Sequence, residues 1–230
     1  MLLDSIKKIV PSADTIQIFG PSGSGKSSFA ISLIKEMAAS GVSKILYLDT
    51  ERNLMETPTY CDYKYLPSYR GLYDAVSSLK PGYKAVIIDS LGLPILGEFA
   101  KLSAREKGDI LLGSQSISYQ LKQYSKDNDC YVIVLNQPES EFAKEKGHVL
   151  EPFGDKAKYY YKEIWKSRMS YSMPDKTGCV IESFRSRMFG REKILFTMSI
   201  SSKGIEIKSE VEEHENGRTA GREPAKIGQA

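Results

Sequence analysis

The stretch "GPSGSGKSSFA", Gly20 to Ala30, decides how the rest of the chain is read. It fits G-x-x-x-x-G-K-[ST] with Gly20, Gly25, Lys26 and Ser27 in place. Immediately upstream, "TIQIFG" reads as an apolar strand. Immediately downstream, "KSSFAISLIKEMAAS" carries a helical pattern closed by Gly41, a residue suited to a helix C-cap. A glycine loop alone is a weak signal, but strand, glycine turn and helix in this order describe a phosphate cradle. Backbone N–H groups can wrap around a phosphate only where no Cβ intrudes, and the helix directs its amino-terminal partial charge at the anion. The run Gly20, Pro21, Ser22, Gly23, Ser24, Gly25, Lys26, Ser27 and Ser28 is therefore the expected nucleotide-binding segment. Lys26 reaches the β- and γ-phosphates in this reading, and the Ser27 hydroxyl binds Mg2+.

Working outward, "KILYLDTE" (44–51), "YKAVIIDS" (83–90) and "CYVIVLN" (130–136) are short, nearly continuous apolar runs, as expected of strands covered on both faces. Between Ser103 and Asp127, Ile110, Ser114, Ile117, Leu121 and Tyr124 share one helical face. Strands alternating with helices imply a parallel sheet with right-handed crossovers. Pro138 to Lys156 is polar and punctuated by glycine and proline, and reads as a long loop. Beyond it, "YYYKEIWKSRMSYS", "TGCVIESFRSRM", "REKILFTMS" and "GIEIKSE" read as successive strands joined by turns, an antiparallel addition. The expected fold class is α/β: a mainly parallel sheet flanked by helices on both faces, with antiparallel carboxyl-terminal strands. Residues 1–209 are expected to form this core. Residues 210–230 are charged, nearly free of large apolar side chains, and expected to be a disordered tail.

Composition agrees with an ordinary globular chain: 230 residues, 41% hydrophobic and 27% charged. A net charge of +3 is too small to argue for a polyanion partner without a local basic patch. The three cysteines are far apart and in no CxxC pair, which suggests neither a disulfide framework nor a zinc site and fits a reducing cytoplasm. No signal-peptide core and no membrane-length apolar run is present, so a cytoplasmic protein with no membrane partner is expected.

A magnesium–nucleotide site also needs a carboxylate at the end of a neighbouring strand, and "AVIIDS" supplies Asp89. Hydrolysis needs a group to activate water. The end of "KILYLDTERN" offers Asp49 and Glu51, which period-two geometry places on one side of an extended chain. Glu51 extends further toward the ligand crevice and is the preferred water activator. Arg52 is a candidate to stack on adenine.

The set "GPSGSGKS", "YLDTE", "VIIDS", "VIVLNQ" and "PFGDKAKYYYKEIWKSR" resembles the RecA/RadA recombinase superfamily, nearest in pattern to the short archaeal RadB-like paralogues and their KaiC-like relatives. The likeness runs roughly from Thr15 to Ile207. It implies a RecA-like ATPase core binding ATP and Mg2+, with Glu51 polarising the attacking water, Asp89 helping to hold Mg2+, and Gln137 sensing the γ-phosphate. In the recombinases the loop that follows this sensor contacts single-stranded DNA. The sequence as given opens directly on the core, without a helix-hairpin-helix segment or an F-x-x-A tether. "KIVPSAD" also stands where relatives carry a glycine-rich turn. The expectation is an accessory paralogue in recombinational DNA repair rather than a full strand-exchange recombinase. Its expected partners are single-stranded DNA and a RecA/RadA-type recombinase or further copies of itself.

The loop from Pro138 to Lys156 has more acidic than basic residues and is poorly suited to phosphate. "KAKYYYKEIWKSR" instead interleaves Lys158, Lys162, Lys166 and Arg168 with three tyrosines and Trp165, a composition that fits single-stranded DNA or, equally, a half-buried helix or strand whose aromatics belong to the core. Arg185 and Arg187 are two apart on an extended run, so both are expected to point to one side. They resemble the basic pair that KaiC-like relatives insert into a neighbour's ATP site, where such a finger stabilises the transferring phosphoryl group. The alternatives are a nucleotide-dependent interaction protein with little turnover and a KaiC-like regulatory ATPase without nucleic acid.

Overall fold

The structure, a computed structural model, describes residues 2–52, 54, 57–99, 102–137 and 158–210. The expected loop from Pro138 to Lys156 and the tail beyond Glu210 lie outside the described residues. Among the described residues, five α-helices, α1 (Leu2–Ile9), α2 (Lys26–Ala39), α3 (Tyr69–Ser77), α4 (Gly92–Phe99) and α5 (Ala104–Asn128), flank nine strands. The strands are β1 (Thr15–Phe19), β2 (Ile45–Asp49), β3 (Asp62–Tyr65), β4 (Ala85–Asp89), β5 (Tyr131–Asn136), β6 (Glu163–Met173), β7 (Lys176–Arg185), β8 (Ile194–Ser201) and β9 (Gly204–Ser209).

All nine strands form one sheet in the order β3-β2-β4-β5-β1-β6-β7-β8-β9. Pairing is parallel from β3 through β6 and antiparallel from β6 to β9. The central strands are buried on both faces because alternate residues feed two separate cores. Ile16, Ile18, Tyr47, Ile87, Ile133 and Trp165 pack under α1 and α2. Leu46, Leu48, Val86, Ile88, Val132 and Ile164 pack under α3, α4 and α5.

Four elements go beyond the sequence reading. α1 buries Leu3, Ile6 and Ile9, and its first N–H groups, on Leu2 and Leu3, donate to the Glu36 carboxylate of α2 at 2.8 and 2.9 Å. A cap borrowed from 33 residues away leaves no local signature. β3 is a four-residue edge strand, and α3 and α4 are short helices. α5 has the expected start, a Ser103–Glu106 capping box. Among the described residues, no helix is long and apolar enough to cross a membrane.

Candidate nucleotide site

Register places the carboxyl ends of the parallel strands side by side: Asp49 opposite Asp89, Asp89 opposite Leu135, and Phe19 opposite Asn136. In an open α/β sheet this edge is the ligand crevice. A cavity of about 310 Å³ opens there, lined by the loop from Ser22 to Ser28 with Glu51, Asp89 and Gln137. Thr177 and Ile200, direct cross-strand partners on β7 and β8, close the far wall.

The loop is shaped for close backbone approach. Gly25 is the N-cap of α2, with φ 85°, and among the described residues no side chain caps the helix, unlike Ser68 at α3 and Ser103 at α5. The amino end of α2 therefore keeps N–H donors for an anion. A Cβ on Gly25 would meet Met198 Cε at 2.8 Å and Cys179 Sγ at 3.1 Å, while one on Gly20 would strike the Ser167 carbonyl. The loop thus lies directly on β6, β7 and β8, and the Ser167 hydroxyl donates to the Ser24 carbonyl at 2.5 Å. Among the described residues, the buried Ser24 hydroxyl has no hydrogen-bond partner.

Lys26 is buried and donates to the carbonyls of Gly20 and Pro21, each at 2.8 Å. Burial lowers its pKa, and Asp89, Glu51 and Cys179 oppose that shift. Asp89 shifts upward, chiefly because it is buried. Hydrogen bonds from Tyr47 and Ser27 act against the rise, whereas Glu51 and Asp49 add to it. Ser27 and Asp89 both line the cavity. A hydroxyl and a carboxylate, both hard oxygen donors beside the phosphate loop, fit Mg2+.

Glu51 lines the cavity, with Oε1 accepting from the Ser90 hydroxyl at 2.7 Å. The expectation that Asp49 and Glu51 share one side of an extended chain is corrected, because β2 stops at Asp49 and the chain turns. Asp49 Oδ1 accepts from the backbone N–H of Glu51 and of Arg52, at 2.9 and 2.8 Å. Arg52 adopts φ 56°, and its guanidinium lies over the Tyr65 ring at 5.6 Å.

Arg185 ends β7 and Arg187 lies beyond it, so the period-two argument for a matched pair does not hold. Arg185 faces Ile164 near the start of β6, at the sheet edge opposite the phosphate loop, and donates to the Tyr161 carbonyl at 3.2 Å. The Arg187 N–H donates to Glu163. Neither arginine reaches the chain's own cavity.

The aromatic and basic segment is mostly structural. Trp165 and Tyr161 are core side chains; Trp165 packs with Phe29 and Phe196, ring centroids 6.3 and 5.7 Å away. Lys166 and Arg168 both pair with the buried Glu182, at 3.7 and 3.1 Å. Lys162 pairs with Asp14 at 3.7 Å. Lys158 begins a single 3-10 turn ending at Tyr160, and Tyr159 keeps 68% of its surface exposed.

Sequence reasoning missed Tyr47, Tyr63, Ser90, Thr177 and Ile200. Tyr47 could have been found, since it lies two residues before Asp49 on the same strand face. The others reach the site through register and turns that no local pattern encodes.

No family model matches the sequence, and no curated protein matches it. Among solved structures the RadB recombinase is similar, with a TM-score of 0.59 and 19% identity over 87% of this chain and 95% of that one. At that identity the likeness establishes the fold: a RecA-like α/β core with antiparallel carboxyl-terminal strands.

Proposed function

We propose that this chain is a slow, Mg2+-dependent ATPase that acts with single-stranded DNA in recombinational repair, as an accessory to a RecA/RadA-type recombinase or as an assembly of its own copies. One observation carries the reading. A single cavity joins the amino end of α2 and Lys26 to Ser27, Asp89 and Glu51.

The loop N–H groups and Lys26 would bind the β- and γ-phosphates, the lysine exchanging its two loop carbonyls for phosphate oxygens. Ser27 and Asp89 would hold Mg2+, which when bound neutralises charge on the phosphates. Glu51 orients a water and accepts its proton as the water oxygen bonds to the γ-phosphorus and the bond to the β-phosphate oxygen breaks. Gln137, just beyond β5 and in the cavity lining, would sense the γ-phosphate.

The part played by DNA is supported by the likeness to the RadB recombinase. Lys162, Lys166 and Arg168 would have to exchange acidic partners for phosphates. Steady-state ATPase assays with and without single-stranded DNA, on wild type and Glu51→Gln, test the reading. Turnover should be Mg2+-dependent and fall about a hundredfold in the variant while ATP binding persists. No turnover under any condition would leave a nucleotide-dependent interaction protein. No DNA binding even at low salt would remove the repair role.

A further inference from the structure

We infer that Tyr63, on the edge strand β3, is a positioning residue that fixes Glu51 through Asp49. What Glu51 then does rests on the ATPase reading; the contacts that hold it do not. The Tyr63 hydroxyl donates to Asp49 Oδ2 at 2.7 Å, while Oδ1 of the same carboxylate accepts the N–H groups of Glu51 and Arg52. Asp49 is thus committed to a turn and unavailable as a second acid in the crevice. Two residues further along β3, on the same strand face, the Tyr65 ring lies under the Arg52 guanidinium. The two tyrosines therefore grip Asp49 and Arg52, which flank Glu51 in the chain.

Tyr63 is itself held. Its ring stacks on that of Tyr47, its register partner on β2, with centroids 6.3 Å apart and planes 17° from parallel. The β3 chain is tied to the same point by the Leu66 N–H, which donates to the Asp49 carbonyl at 2.7 Å. From the other side, Thr50 Oγ1 and Ser90 exchange two 2.8 Å hydrogen bonds, and the Ser90 hydroxyl takes Glu51 Oε1. β3 fixes the backbone of the turn and the Ser90 segment fixes the carboxylate. Misplacing a reacting group by about 1 Å can cost a hundredfold in rate, so such a clamp has kinetic weight.

The test uses the full chain and has two arms. In nucleotide-free protein, amide hydrogen exchange at Glu51 and Arg52 should be slow. Tyr63→Phe should speed it about tenfold, Asp49→Ala should abolish the protection, and Asp49→Asn, which keeps the Oδ1 acceptor, should stay near wild type. In Mg-ATP turnover, Tyr63→Phe and Asp49→Ala should lower kcat about tenfold and a hundredfold with KM within about twofold, because the phosphate loop is untouched. Asp49→Asn should recover most of kcat. Wild-type exchange and kcat in a folded Tyr63→Phe protein overturn the inference, as does lost protection with unchanged kcat. If wild type hydrolyses no ATP, the ATPase reading fails, while exchange at Glu51 still decides whether Tyr63 and Asp49 hold the turn.

Discussion

The Tyr47 hydroxyl donates to Oδ2 of Asp89 at 2.6 Å, reaching from β2 to β4, where Asp89 lines the cavity. Both groups are buried, and both shift upward in pKa chiefly because burial disfavours their charged forms. The hydrogen bond only partly offsets the cost of an ionised Asp89. Between the ordinary carboxylate value and its raised one, the folded protein holds a proton that the unfolded chain has released. Stability from this group therefore falls as pH rises through that window and stays lower above it. Asp89→Asn keeps an acceptor for the Tyr47 hydroxyl and removes the charge. In Mg2+-free buffer near pH 8 its thermal midpoint should equal or exceed that of wild type by about 2–4 °C, and its stability should lack this pH slope. Calorimetry from pH 4 to 8 checks this, and a lower midpoint at every pH would contradict it.

Gly20 and Gly25 are required for shape. Gly20→Ala drives a methyl group into the Ser167 carbonyl, and Gly25→Ala combines a positive φ with contact against Met198 and Cys179. Each should destabilise the fold by roughly 1–3 kcal/mol and weaken ATP binding. Gly23→Ala, whose Cβ meets only Met169 Cε at 3.7 Å, should pack without a clash and bear only the strain of its φ of 75°. Urea titrations of the three variants should reproduce this order.

Trp165 separates core from surface in the aromatic segment. Trp165→Ala should cost about 3–5 kcal/mol, because the buried indole packs against both Phe29 and Phe196. Tyr159→Ala, at an exposed ring, should leave stability within about 0.5 kcal/mol. If DNA binding is measured alongside, only the second variant can report on stacking without unfolding the protein.

Arg185 and Arg187 lie at the sheet edge away from their own cavity, so any role in hydrolysis must be played in another subunit. ATPase rate per chain should then rise with protein concentration, and Arg187→Ala should flatten the curve. A rate per chain that does not change with concentration in wild type would end the idea of a finger supplied in trans.

The parallel core was legible because its signals are local: four apolar runs, a glycine loop with a helix behind it, and acids at strand ends. Lys26, Ser27, Glu51 and Asp89 could be singled out for the same reason, and the structure brings them around one cavity. What escaped the sequence depends on distant partners. β3 has only four residues and its burial is slight, so "DYKY" carries no strand signature until Tyr63 meets Asp49. The aromatic run read two ways because composition does not say which face a side chain takes; pairing β6 against β1 and β7 sends Trp165 inward. Arg187 was placed on a strand that ends two residues earlier, where Glu163 takes its N–H.

Isothermal titration of Mg-ATP into nucleotide-free protein, with Lys26→Ala alongside, is the most direct test of a phosphate-binding loop at Gly20–Ser28. Saturable uptake by wild type, with affinity at least about tenfold weaker in the variant, is the expected result. A folded wild type that takes up no Mg-ATP, or a Lys26→Ala protein that binds it equally well, would contradict the account.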